Sequence, residues 1–292
     1  MKADILLLIT AAIWGFAFVA QRLGMTHMGP FTFNALRFTI GALALLPFMV
    51  LKGRREENAS KKNFKHLIWP GLLTGLCLFG AASLQQIGLV GTTAGKAGFI
   101  TGLYVILVPL LGLFLGKRTH SAHWIGAVLA IPGLYLLSVQ ANFTISSYDL
   151  TVLGGAFLWA VHVHLITRFT EQVGPLRLAV IQAGVCGVLS GIAALIFEPV
   201  SFAGILDGLW PILYGAFLSV GIAYTLQVFA QRTADPTHAV VILSLESVFA
   251  GLGGWLLLSE IFSVKDLIGS GLMLVGMLVS QLFGRSKEET SS

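Results

Sequence analysis

The chain has 292 residues, of which 56% are hydrophobic and 11% charged, with a mean hydropathy of +0.86 and a formal charge of +5. A water-soluble domain carries about 25% charged residues to face solvent, so lipid has to be the solvent for most of this surface. The basic residues are scattered through short loops, which excludes a nucleic-acid surface, and Cys77 and Cys186 each sit inside an apolar run, which gives neither a disulfide framework nor a metal motif.

A spanning helix needs roughly 20 mostly apolar residues. Ten stretches qualify: 4–22, 31–51, 67–90, 95–116, 121–139, 148–168, 176–197, 209–231, 237–259 and 265–284. The predicted fold class is therefore an all-α integral membrane protein of ten transmembrane helices. The first apolar run lacks a charged leader and cleavage site and is expected to belong to the mature chain. One long polar connection, LKGRREENASKKNFKH, covers residues 51–66, and the tail 285–292 has no apolar content and is expected to be disordered.

Orientation follows from lysine and arginine in the short loops. With a cytoplasmic N-terminus, 14 of the 18 basic residues fall on the cytoplasmic side, Arg22, Lys96 and Lys265 fall outside, and Arg37 lies within a span. Both termini are thus expected in the cytoplasm of a multi-pass protein of the bacterial inner membrane or another plasma membrane.

The two halves align. Trp14 and Pro30 match Trp159 and Pro175; WPGLLTGLCLFGAASLQQ (69–86) matches WPILYGAFLSVGIAYTLQ (210–227), bringing Gln86 onto Gln227; Gly126 and Gly133 match Gly269 and Gly276. Residues 1–140 and 141–284 read as two repeats of five spans. Five is odd, so the second repeat enters the membrane from the opposite side. Inverted repeats are a hallmark of secondary transporters, whose substrate site lies near the midplane between them.

The segments AAIWGFAFVAQRLG, FNALRFTIGALALL, TTAGKAGFITGLYVILVPLLG, SLESVFAGLGGWLLLSE and LIGSGLMLVGMLVS, taken in order, resemble a ten-helix member of the EamA family in the drug/metabolite transporter superfamily. The resemblance covers essentially the whole chain. It implies two inverted five-helix bundles around a central cavity and transport of small metabolites such as amino acids, often as export. The family often has a glutamate after the fourth helix of a repeat; the second half has Glu260 there and the first has Lys117.

GTTAGKA, at 91–97, imitates a P-loop. That motif needs G-x-x-x-x-G-K-[ST], whereas here Val90 takes the first glycine's place and Ala97 follows the lysine. Gly91, Gly95, Gly98 and Gly102 instead form one helical stripe suited to close packing. Lys96 sits beside it. It reads either as a snorkelling side chain or as a cationic ligand for a substrate carboxylate.

Polar side chains at membrane depth are costly and mark sites by default. Glu246 is placed near the midplane, either locking helices together or binding a substrate amine or a coupling proton. Tyr224 and Gln227 share a face of the eighth span, with Gln86 symmetric to Gln227; the glutamines either line a cavity or bond each other. Trp14 is a packing residue or a cavity wall. His162 shares a face with Trp159 and is structural or a proton relay. Arg37, beside Asn34 and symmetric to Gln182, ranks below Lys96 as a ligand.

No rhomboid, presenilin or acyltransferase signature occurs, so no nucleophile–base pair or paired acids support an enzyme. The reading is a secondary transporter, working by alternating access, in which Lys96 and Glu246 bracket a cavity lined by Trp14, Gln86, His162, Tyr224 and Gln227. A small-molecule zwitterion and the lipid bilayer are its expected partners, with no cofactor; proton coupling, a homodimer, a nucleoside or cationic-compound carrier and a channel-like facilitator stay open.

Overall fold

The computed structural model describes residues 2–56, 64–114, 116, 120–138, 146–231 and 242–283, and no strand occurs among them. The helices are α1 (Lys2–Gly24), α2 (Pro30–Glu56), α3 (Phe64–Gly88), α4 (Ala94–Gly102), α5 (Tyr104–Phe114), α6 (Ser121–Ser138), α7 (Ser147–Val173), α8 (Pro175–Phe197), α9 (Phe202–Asp207), α10 (Leu209–Leu213), α11 (Tyr224–Gln231), α12 (Glu246–Leu258) and α13 (Val264–Leu282), with a π-helix (Tyr214–Ala223) joining α10 to α11. Hydrocarbon gives the backbone no partner, so a lipid-embedded chain satisfies its N–H and C=O groups within helices. Eight segments are long and apolar enough to cross a membrane, and Glu246–Leu258 is a shorter apolar helix. Large apolar side chains such as Val128, Val188, Leu195 and Trp255 are exposed, as a lipid-facing surface requires.

Three expected spans differ in detail. The fourth is broken at Leu103 into α4 and α5, and the eighth carries the π-helix. Glu246 opens α12 after a turn and does not lie in the middle of a continuous helix. Residues 232–241, where the ninth span was expected to begin, lie outside the described residues, as do Lys117 and the tail.

Local chemistry sets the helix ends. Ser146 caps α7, and α7 and α8 are joined by Gly174, whose φ of +85° suits glycine, followed by Pro175 at the first helical position. Ser263 and Asp266 form a reciprocal capping box on α13, at 3.2 and 3.0 Å.

The helix pairs exchange consistently between halves. α2 packs on α8, α6 on α13, and α4 on α12; α3 packs on α7 much as α1 packs on the π-helix and α11. The α6–α13 pair shows why glycine is needed. A Cβ on Gly126 would lie 2.5 Å from the Gly276 carbonyl oxygen, and one on Gly133 would lie 2.7 Å from that of Gly269. The reciprocal distances, 2.6 Å at Gly276 and 2.8 Å at Gly269, show that the contact is backbone against backbone from both sides.

Gly133→Ala is therefore expected to push α6 and α13 apart and to destabilise the protein by about 1–3 kcal/mol. Thermal unfolding of the purified protein in detergent measures this; an unchanged melting temperature contradicts the packing described.

Candidate functional site

The two broken helices meet at their breaks. At Leu103 the chain tightens, with Leu103 N–H donating to the Ile100 carbonyl at 3.2 Å and Ile106 N–H to Leu103 at 2.9 Å. Residues 242–247 tighten similarly, with Leu245 N–H on the Ile242 carbonyl at 3.1 Å and Ser247 N–H on Ser244 at 3.2 Å. The glycine stripe lets the breaks touch: Gly98 packs on Ala250 and Gly102 on Ser247, whose hydroxyl donates to the Gly98 carbonyl at 3.0 Å. Tyr104 thereby opens α5 beside Glu246, which opens α12, and the Tyr104 hydroxyl is directed at the Glu246 carboxylate. Irregular backbone at membrane depth is tolerated only where it is buried in protein or lines a cavity.

Glu246 is 5% exposed. α1 crosses it closely: a Cβ on Gly15 would lie 2.7 Å from the Glu246 carbonyl oxygen. The neighbouring Trp14 meets Tyr224 edge to face, with ring centroids 5.1 Å apart, and its Nε1 donates to the Ser219 carbonyl of the π-helix at 3.3 Å. Tyr214 ties the π-helix back to α1 through a 3.0 Å bond from its hydroxyl to the Ile13 carbonyl. Trp14, Tyr224 and Glu246 are thus brought together, with Tyr104 as a fourth member that the sequence reading missed.

A second polar group lies across Tyr224. Arg37 is 4% exposed. Its Nε donates to Asn34 Oδ1 at 2.9 Å, and Asn34 Nδ2 in turn donates to the Ala82 carbonyl at 3.1 Å, which fixes the amide. The guanidinium lies over the Phe38 ring, 4.7 Å from its centroid. His162 is bonded to Gln182, Nε2 to Oε1 at 2.8 Å, and stands edge to face with Trp159. Phe38, Gln182, Val220 and Tyr224 line a cavity of about 10 Å³, enough for roughly one water.

The glutamines do not pair across the bundle. Gln86 Nε2 donates to the Gln21 carbonyl at 3.1 Å, and its Oε1 is buried without a hydrogen-bond partner. Its neighbour Gln85 donates to Gln21 Oε1 at 2.9 Å and accepts from Trp159 Nε1 at 2.8 Å. Gln227 is half-buried on α11, one turn beyond Tyr224.

Lys96 stands apart from this cluster. It lies in the first turn of α4, eight residues and about 12 Å of helix from Tyr104. Its ammonium donates to the Leu137 carbonyl at 2.8 Å and lies 3.5 Å from Asp266 Oδ1. It braces the last turn of α6 against the first turn of α13. At this same end of the bundle two carboxylates close helix N-termini. Glu198 accepts from Phe31 N–H at 2.7 Å and Thr32 N–H at 2.8 Å, at the start of α2. Glu260 accepts from Ala94 N–H at 2.6 Å and Gly95 N–H at 3.0 Å, at the start of α4. Each carboxylate meets orphan donors and the positive end of a helix dipole.

An all-α membrane bundle whose broken helices meet beside buried charge is an architecture of secondary transporters. The model of the EamA-like transporter family matches residues 1–139 and again residues 146–281. The chain belongs to that family. It is 32% identical over 97% of its length to an uncharacterized transporter of Archaeoglobus fulgidus, covering 86% of that protein. It is 28% identical over 98% of its length to the threonine/homoserine exporter RhtA of Escherichia coli K12, covering 92% of it. A crystal structure 23% identical to the chain superposes with a TM-score of 0.70 over 98% of both chains, which shows the shared fold.

Glu260→Ala leaves the Ala94 and Gly95 N–H groups without their acceptor. It is expected to lower stability by about 0.5–2 kcal/mol, seen as a reduced melting temperature in detergent; Glu260→Gln, which keeps one acceptor, should lose less.

Proposed function

We propose that the protein is a secondary transporter that exports a small metabolite bearing an ammonium group, an amino acid or related zwitterion, by alternating access between two inverted five-helix repeats. The observation that carries this reading is Glu246: a buried carboxylate at a helix break, facing tyrosine and tryptophan, with no cation paired to it among the described residues. An ionised carboxylate is not held in an apolar interior without a compensating charge or a proton. A substrate ammonium supplies that charge, and the faces of Trp14 and Tyr224 would add cation–π attraction.

In alternating access a substrate reaches Glu246 from one side at a time, as the halves move around the site. The exchange of helix pairs between halves, and the family model matching twice, support the inverted repeat. The charge asymmetry of the loops supports an orientation with the Glu198 and Glu260 end outside and both termini in the cytoplasm. The similarity to a threonine/homoserine exporter supports an amino acid as substrate and outward movement.

Liposomes containing the purified protein, loaded with labelled neutral, cationic and anionic amino acids, nucleosides and sugars, test this. Saturable flux of neutral amino acids, accelerated by unlabelled substrate on the opposite side, is expected; non-saturable flux of many solutes contradicts a carrier. Glu246→Gln should reduce amino-acid flux by about tenfold or more, with unchanged protein folding by circular dichroism.

A further inference from the structure

Glu246 answers for one end of a zwitterion. The other end needs a cation, and Lys96 is engaged with Asp266 and the Leu137 carbonyl at the end of the bundle. Arg37 is differently placed. It lies seven residues into α2 from Pro30, about 10 Å down the helix, and only 4% of it is exposed. No carboxylate pairs with it among the described residues. Among the described residues its polar anchor is Asn34, whose Oδ1 accepts from Nε and leaves the two terminal nitrogens of the fork without a hydrogen bond.

Everything around Arg37 fixes the direction of that fork. Asn34 is itself locked onto the Ala82 carbonyl. The Phe38 ring lies against the guanidinium at 4.7 Å. Gly215, on the π-helix, leaves room for the stem: a Cβ there would come within 3.2 Å of both Arg37 Cβ and Cδ. Phe38 also lines the small cavity, as does Tyr224. Tyr224 is close enough to interact electrostatically with both Arg37 and Glu246, so the buried cation and the buried anion share this neighbour. Trp14 holds the Tyr224 ring from its other side.

A charged guanidinium in an apolar interior is costly when unpaired, and its planar fork matches a carboxylate in a two-bond geometry that an ammonium cannot supply. We infer that Arg37 is the substrate-carboxylate ligand, so that the transported molecule is a zwitterion held between the Arg37 fork and Glu246, with Tyr224 at its waist. This inference rests on the reading of Glu246 as the ammonium ligand, and it makes the site selective for acids over their esters and amides. Arg37 is thus a specificity-determining residue, and Lys96 is a brace.

The native thiol Cys186 provides a reporter. It is fully buried in one cluster with Phe38 and Val220, and it interacts electrostatically with Arg37. The test uses the full chain in liposomes, with labelled L-threonine and L-threonine methyl ester as probes. The wild type should prefer the acid to the ester by roughly thirtyfold or more. Arg37→Gln should bring that ratio to near unity through loss of acid transport, while ester transport persists and shows that the variant is folded; Arg37→Lys should recover part of the preference. In a Cys77→Ser background, threonine should slow N-ethylmaleimide labelling of Cys186, and Arg37→Gln should remove that protection.

An Arg37→Gln protein that keeps the wild-type ratio overturns the assignment, as does a wild type that moves the ester as well as the acid. A Lys96→Ala protein that loses the acid preference returns the role to Lys96 and overturns it too. The reading of Glu246 fails separately, when Glu246→Gln transports threonine at the wild-type rate while Arg37→Gln does not.

Discussion

In hydrocarbon a polar group has no partner except another part of the protein, and this constraint shapes the whole molecule. Most of the backbone meets it by remaining helical. Where α2 and α4 begin, a carboxylate distant in sequence supplies the missing acceptor. Where a helix breaks inside the bundle, glycine and serine let the break be covered at backbone distance, as Gly98 and Ser247 do. Within this bundle Arg37 and Glu246 are buried charged side chains without an ion-pair partner among the described residues.

Sequence-distant residues make these devices. Glu198 closes α2, although more than half of the chain separates them; Glu260 does the same for α4. In both pairs the helix ending and the helix beginning come from different halves, so the closed end is an interface between the halves. Separating them there would release two carboxylates and two sets of backbone donors into water, where all are readily solvated. The same separation in the middle of the bundle would open the space beside Tyr224.

Much of the all-α membrane architecture could be read from the sequence, because apolar spans depend on composition and spacing. The glycine stripe through Gly95, Gly98 and Gly102 was legible as a packing face and is one, because a period of three and four residues is a local property. Glu246 stood out through the cost of its burial. The partners were not legible. Nothing local tells that Lys96 reaches Asp266, that Gln86 turns to α1 and not to Gln227, or that Glu260 caps the helix that carries Lys96. Tyr104 was overlooked because the run around it is apolar throughout and was read as one continuous span, although Gly102 and Pro109 flank the break at Leu103. Arg37 was visible but ranked low, since its distance from any carboxylate is a property of the assembled bundle alone.

The central claim is that a closed charged site is reached from each side in turn by movement of the halves. Electron–electron distances between spin labels on Met28→Cys and Val200→Cys, at the end closed by Glu198, test it most directly when measured beside a second pair, Leu113→Cys and Gln172→Cys, at the opposite end, both in a Cys77→Ser, Cys186→Ser background. The account predicts that adding threonine to the reconstituted protein shifts both distributions, with the populations that lengthen at one end shortening at the other. Two distributions that stay fixed with and without threonine, or that lengthen together, would contradict it.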